Sequence, residues 1–449
     1  FTLRLNGSRE VSKNFNFAFN ANYVQNRYDL GPSGTAFNNV LMSPGQIPLT
    51  RYKDWKNDPF STPDGYYNEY YDSPYFTLGN NRTLTRNDYL TGNVQFKYFP
   101  IKELSLLFRV SMSTRNASSK GWSDKYTFSD YRLGITSNFS NRPGSVGDGA
   151  SYDTQLNPEF QAQYIKKITK DFSLNTIFGG SVRDNIAKSV NANSSVMVTP
   201  GLYNVSNTTG NVFGSESNSR VRQIGLYADV RLGFKDYLYL HLTGRNDWRS
   251  VLAPEFQSLF YPAADISFIA SDALSFLKKS KTINSLKIRG GVSKVGLVNL
   301  GAYRLTPTFG QQYGYPYAGV PGFGVGNSIV SPSIKPEVTT SVEAGFDLEM
   351  YNSRVNLTLT AYQSNTVDQT VSVGIPNATG FTGYLTNTGE VQNKGFETSL
   401  RLVPIRTSTG FELTVGGNYT YNQNEVLSIS NDQTFISLGT FGTANIVAE

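Results

Sequence analysis

The chain has no cysteine and a single histidine, His241. Without thiols it can hold no disulfide framework, no thiolate metal site and no cysteine nucleophile. One imidazole cannot build a histidine cluster, and it leaves histidine catalysis a single candidate. No run of about 18 apolar residues occurs, so no helix of this sequence can cross a bilayer. Charge is also sparse: Asp, Glu, Lys and Arg make up 16% of the 449 residues, against roughly 25% in ordinary soluble domains. The net charge is +6. Its basic residues are scattered, the densest cluster being Lys278, Lys279 and Lys281, whereas a nucleic-acid binder gathers them on one face. No nucleic-acid partner is expected. No signal peptide is visible, and Phe1 and Glu449 read as internal cuts in a longer protein.

What the chain does have is aromatic residues, 13% of the total, placed in strict alternation. Phe15, Phe17, Phe19, Ala21 and Tyr23 alternate with Asn16, Ala18, Asn20 and Asn22. Leu104, Leu106, Phe108, Val110 and Met112 alternate with Ser105, Leu107, Arg109, Ser111 and Ser113. Ile224, Leu226, Ala228, Val230 and Leu232 alternate with Gln223, Gly225, Tyr227, Asp229 and Arg231. Period two is the mark of a strand with one apolar and one polar face. About fourteen such segments occur, beginning near Phe1, Phe15, Tyr89, Leu104, Tyr152, Phe172, Arg220, Tyr237, Tyr261, Leu286, Thr339, Arg354, Phe396 and Phe411. Several run for about ten residues, the length a tilted strand needs to cross a bilayer. Ser271 to Lys281 is the one candidate for a short helix.

The links between segments alternate in length. Tight ones lie near 11–14, 100–103, 167–171, 235–236, 352–353 and 406–410, and long polar ones at 25–88, 114–151, 183–219, 246–260, 295–338 and 363–392. Soluble domains rarely carry many loops beyond about 15 residues. Short turns at one rim and long loops at the other are the pattern of an outer-membrane barrel. The tight rim repeats one device: Lys13-Asn14-Phe15, Lys102-Glu103-Leu104, Lys170-Asp171-Phe172 and Lys235-Asp236-Tyr237. Asn or Asp favours the turn, Lys reaches water, and the following aromatic falls at interface depth. Phe99, Phe234, Tyr351 and Phe411 would complete that girdle, with Tyr23, Tyr89, Tyr261 and Tyr362 forming the opposite one. The expected fold is all-β: a transmembrane antiparallel β-barrel with short periplasmic turns, long extracellular loops and a wide lumen, since fourteen strands exceed the eight that side chains can fill.

Four motifs carry a family resemblance. Ile334-Lys335-Pro336-Glu337-Val338-Thr339 through Glu343-Ala344-Gly345-Phe346-Asp347 resembles the opening of a late barrel strand in TonB-dependent outer-membrane receptors. Asn387-Thr388-Gly389-Glu390-Val391-Gln392-Asn393-Lys394-Gly395-Phe396-Glu397 is similar to a signature of the SusC/RagA-type transporters. Gly244-Arg245-Asn246-Asp247 with Phe260-Tyr261-Pro262-Ala263, and Ser285-Leu286-Lys287-Ile288-Arg289-Gly290-Gly291, resemble two further stretches of that family, in the family's order. Asp72-Ser73-Pro74-Tyr75-Phe76 matches its loop motif only in part. The resemblance implies TonB-dependent import of a large nutrient, an oligosaccharide or peptide, across the outer membrane. The implied partners are the protein's own plug domain, the TonB complex, a SusD-like surface lipoprotein and outer-membrane lipid; pairing of two transporter–lid units is left open. The family's barrel has 22 strands, so residues 1–449 would be its middle portion, with neither plug domain nor final strands. No enzyme activity, cofactor or metal is expected.

Two sets of candidate functional residues follow. The polar faces carry Asp229, Arg231, Lys287, Arg289, Glu343, Asp347, Glu397 and Arg401. A charge in a wet lumen costs little, and one set against a plug gains from pairing; the bland alternative is pairing between strands. The second set is loop aromatics. Tyr66, Tyr67, Tyr70, Tyr71, Tyr75 and Phe76 crowd one long loop, and Tyr313, Tyr315, Tyr317 and Phe323 (with Tyr303 and Phe309) crowd another. Such rings can stack on sugars, anchor a lid, or pack the loop itself. His241 reads as structural. The alternatives are another outer-membrane barrel, a siderophore receptor or a porin, or a secreted β-rich glycan-binding protein.

Overall fold

The computed structural model describes residues 1–135, 137–312, 315, 317–429, 435–437 and 445–447. In chain order its strands begin β1 (Thr2–Ser12), β2 (Phe15–Leu30), β3 (Asn81–Ile101), β4 (Leu104–Ser123), β5 (Ser145–Lys167) and β6 (Phe172–Ser195). They continue with β7 (Phe213–Phe234), β8 (Leu238–Arg249), β9 (Ser258–Ile269) and β10 (Ile283–Leu297). One long loop holds the short β11 (Phe309–Gln311), β12 (Phe323–Val325) and β13 (Ser328–Val330). Then come β14 (Glu337–Met350) and β15 (Val355–Val367), the short β16 (Thr370–Gly374) and β17 (Gly383–Asn387), and finally β18 (Glu390–Arg406) and β19 (Glu412–Ser428). The fourteen long strands form one sheet in the order β1 to β10, β14, β15, β18, β19. Every neighbouring pair in it is antiparallel. Among the described residues the edge strands β1 and β19 each have one partner, β2 and β18.

All fourteen alternating segments fall on these strands, but several strands start earlier than the alternation. β3 begins at Asn81 rather than Tyr89, β5 at Ser145 rather than Tyr152, and β7 at Phe213 rather than Arg220. These extra turns of ladder carry Arg82, Arg86, Asp148 and Glu216. Backbone pairing continues there while the apolar face stops, as it does when a strand rises out of lipid into water.

The alternation decides which face is which. Phe178, Phe260 and Val342 are 57%, 60% and 56% exposed, and the apolar faces of β4, β5, β7 and β10 are open in the same way. Among the described residues, the cluster of buried apolar residues formed by Val251, Leu252, Val298, Val330 and Ile334 lies in and beside the long loops, not between sheets. A soluble sandwich would bury these faces against each other. Here a continuous apolar surface faces outward along the whole sheet, far beyond the few hundred Å² a soluble monomer exposes.

At the short-turn rim the rings of Phe172 and Phe234 lie 4.8 Å apart, Phe234 and Tyr237 5.7 Å, and Tyr237 and Phe268 6.1 Å. Lys235 and Asp236 adopt φ of 50° and 58°, the two left-handed residues of a tight hairpin turn. The opposite girdle needs correction. Tyr23 keeps to the apolar side, where its hydroxyl donates to Asp88 at 2.5 Å. Tyr89, Tyr261 and Tyr362 instead sit in register with Arg115, Arg245 and Glu343, so they belong to the polar face. The expected helix at 271–281 is two short turns, Ala270–Ala273 and Ser275–Lys278, broken by extended Leu274. Three further short helices sit in the long loops: Ser33–Leu41, Pro74–Asn80 and Asp130–Ile135. Each is too short for a periodic signal.

Replacing Phe178 by Arg is expected to cost the full-length protein about 2–4 kcal/mol of folding free energy in vesicles. The same change at Asn175, on the opposite face, is expected to cost under about 1 kcal/mol. Denaturant titration in lipid vesicles measures both.

Candidate functional site

On the polar face, strand register gathers side chains that lie far apart in sequence. Arg109, Glu159, Ser181, Gly225 and Asp247 form one row across β4 to β8. Arg109 pairs with Glu159, whose Oε1 also accepts from the Tyr227 hydroxyl at 2.9 Å and from Gln161 at 2.8 Å. Arg245 donates to the buried Asp247 at 2.8 Å and stands 5.4 Å over the Tyr227 ring. Two glycines make this possible. A Cβ on Gly179 would lie 2.4 Å from the Tyr227 ring, and one on Gly225 2.1 Å from the Arg245 guanidinium. The cluster borders a cavity of about 350 Å³ lined by Arg109, Glu159, Arg183 and Arg245 among others.

A second cluster joins β7, β8 and β9. His241 reaches Asp229 through Nε2 and Asp265 through Nδ1, each at 2.7 Å. His241, read from sequence as structural, sits at the centre of a row that links three strands. Farther along, Lys287 and Arg289 approach Asp347 at 3.8 and 3.7 Å, and Arg289 donates to Thr360 at 2.7 Å. Lys287 and Arg289, with Asp265 and Glu343, border a cavity of about 300 Å³. Arg401 pairs with Glu412 of the next strand at 3.6 Å.

The eight expected polar-face charges thus divide. Asp229, Lys287, Arg289, Asp347 and Arg401 have partners on neighbouring strands. Arg231, Glu343 and Glu397 have no ion pair within 4 Å among the described residues. Sequence reasoning did not single out Glu159, Tyr227 or Arg245 as a group. Only the pairing register brings them together, and the glycines at 179 and 225 were the available hint.

The loop aromatics divide as well. In the first long loop Tyr66 is 2% exposed and Phe76 fully buried. Tyr66 packs on Tyr52 and Tyr67 at 4.7 and 4.8 Å; Phe76 meets Trp55 edge-on at 5.0 Å and Tyr126 at 5.4 Å. Burial pushes the Tyr66 hydroxyl up to about 12. Burial, with the hydrogen bond to Asp64, does the same to Tyr126. Arg142 donates to both oxygens of Asp72 at 2.6 and 2.7 Å and lies 5.2 Å over Phe76. The loop after β4 is thereby locked to the loop after β2. Tyr71 and Tyr75 are half-buried in the same layer, and only Tyr70 stands clear at its surface. In the loop after β10 the pattern reverses: Tyr303, Phe309, Tyr317 and Phe323 are well exposed and Tyr315 less so. Tyr313 lies outside the described residues.

The family model described as TonB dependent receptor-like, beta-barrel matches residues 4–444. The chain belongs to that family, whose members are outer-membrane transport barrels and not enzymes. TonB-dependent receptor P26 of Formosa agariphila is 26% identical over 406 residues, covering 87% of this chain and 39% of that protein. TonB-dependent receptor SusC of Bacteroides thetaiotaomicron is 24% identical over 449 residues, covering 92% and 42%. The chain therefore spans about two-fifths of the length of these curated relatives. Among solved structures, the RagAB peptide transporter superposes with a TM-score of 0.77 at 16% identity, over 99% of this chain and 49% of that one. The siderophore receptor PiuA from Acinetobacter baumannii gives 0.52 at 11% identity, over 96% and 57%. The SusC/RagA resemblance read from the motifs is borne out by SusC in sequence and by RagAB in fold, the latter superposing better than the siderophore receptor.

Phe76→Ala is expected to cost about 3–5 kcal/mol locally, seen as faster proteolysis of the loop at 31–80 with the barrel's heat-modifiable migration unchanged. Tyr317→Ala is expected to shift stability by no more than about 0.5 kcal/mol. The same two assays check it.

Proposed function

We propose that residues 1–449 are the middle portion of a barrel that imports a large nutrient, a glycan or a peptide, under TonB control. The single observation that carries this reading is the two-sided sheet: apolar residues outward over all fourteen strands, charges and amides on the other side. Two open sheet edges cannot persist in hydrocarbon, because each would expose unpaired N–H and C=O groups. That favours completion of the wall by strands outside this segment, in line with its share of the relatives' length.

In this reading the lumen is closed from within. The protein's own plug domain is the proposed obstruction, and Arg231, Glu343 and Glu397 are the proposed contacts, because the neighbouring charges are already paired along the wall. The exposed rings of the loop after β10 are the proposed contact for a SusD-like lipoprotein or for substrate. The packed rings of the first loop instead stiffen the mouth. The name of the RagAB peptide transporter supports a peptide as cargo, and a glycan is the other cargo implied by the SusC/RagA resemblance of the motifs. Coupling to the TonB complex would run through the plug.

The triple substitution Arg231→Ala, Glu343→Gln, Glu397→Gln in the full-length protein is expected to leave barrel assembly intact. It should raise sensitivity to a large antibiotic normally held out by the outer membrane by about tenfold, and lower nutrient uptake. Unaltered permeability and uptake would count against plug contact. Detergent purification of the intact complex with mass spectrometry tests the rest: a co-purifying surface lipoprotein and a bound oligosaccharide or peptide are expected.

A further inference from the structure

Above the lipid-facing band, the outward face of β2 to β5 changes from apolar to basic. Arg27 and Arg86 are direct partners across β2 and β3, and Ser118 of β4 continues the same row. The next row holds Asp29, Leu84, Lys120 and Asp148. These residues share the outward parity of Phe17, Phe19, Leu90 and Phe108. Between the rows lies a cleft of about 540 Å³, lined by Arg27, Leu84, Arg86, Ser118 and Lys120 among others.

The charges in this cleft do not cancel. Asp29 is taken by Arg82 at 2.6 Å, Asp88 by Arg86 at 2.8 Å and Asp148 by Lys120 at 3.0 Å. Arg27 has no carboxylate within 4 Å among the described residues, yet it faces a second arginine. Like charges directly opposite on neighbouring strands are unfavourable, and an anion shared by two guanidiniums removes the penalty. Height narrows the anion's identity. Arg27 stands twelve positions beyond Phe15, about 30 Å above the short-turn rim at a tilt near 40°. That is just past an apolar band of about 25 Å, the depth of lipid headgroups. Leu84 lies one row beyond that arginine pair, on the side away from the lipid band.

We propose that this cleft binds the phosphate of a phosphorylated outer-leaflet lipid headgroup, held by Arg27 and Arg86 with Lys120 and Ser118 beside it, while the acyl chains lie along the apolar face of β2 to β4. The site is separate from the lumen and from the exposed loop rings, so it does not depend on the cargo or on plug contact.

The test uses the full-length protein in nanodiscs of phosphatidylcholine with or without phosphatidic acid, a simple phosphate-monoester lipid. Native mass spectrometry reads retained lipid, and thermal unfolding reads stabilisation. Wild type is expected to retain phosphatidic acid about tenfold better than the double variant Arg27→Gln, Lys120→Gln, with the difference shrinking at high salt. Arg27→Lys should restore most of the retention. Arg222→Gln, on the same outer face but paired with Asp184 at 3.0 Å, should change nothing. Equal retention by wild type and the double variant overturns the proposal, as does equal stabilisation of wild type with and without phosphatidic acid. Stabilisation by inorganic phosphate alone to the same degree overturns the lipid assignment.

Discussion

A strand in hydrocarbon has no water for its backbone, so every N–H and C=O must find another strand. Most features of this chain follow from that constraint. The antiparallel ladder running from β1 to β19 satisfies the backbone sideways, which leaves one face of each strand free to meet lipid and the other to meet water. Side-chain period two then sorts the residues: Phe108, Leu226, Phe178 and Val342 outward, Arg109, Asp229, Arg289 and Glu343 inward. No buried core between sheets is needed, and the buried apolar cluster among the described residues lies in and beside the extracellular loops.

The inward face is organised by the same geometry. Because rows of side chains run across strands, charges separated by tens of residues meet as neighbours. Asp229, His241 and Asp265 make one such row, and Arg109, Glu159 and Tyr227 another group. These links brace adjacent strands at a modest gain each, since the lumen is wet and screening is strong. Arg231, Glu343 and Glu397, which have no ion pair among the described residues, are the charges with interactions to spare. A similar division runs through the loops. Rings packed within the first loop, such as Tyr66, or across to the next, such as Phe76, stiffen the mouth, and rings left open, such as Tyr317 and Phe323, remain available.

Much of the fold was legible because its signal is local. Alternation located all fourteen strands, and Lys-Asn, Lys-Glu and Lys-Asp pairs marked the tight turns. The strand extensions above the bilayer were not legible, because both of their faces are polar and the alternation that reports lipid is gone. Tyr89, Tyr261 and Tyr362 were placed on the wrong face for a related reason: aromatic character alone suggested an interface, but parity with Arg115, Arg245 and Glu343 puts them inward. The site was less legible than the fold. Which charges share a row depends on register, and register is set by turn length and bulges rather than by any one segment's composition.

The absence of cysteine over these 449 residues permits a direct measurement of which face meets lipid. Single cysteines introduced one at a time from Gln223 to Leu232 can be spin-labelled in the full-length protein in vesicles, and their collisions with oxygen and with a water-soluble nickel complex compared. The account predicts period-two alternation, with Ile224, Leu226, Ala228, Val230 and Leu232 oxygen-accessible and Gly225, Tyr227, Asp229 and Arg231 not. Even-numbered positions shielded from both reagents would mean that the apolar faces pack against protein, and the barrel wall described above would be wrong.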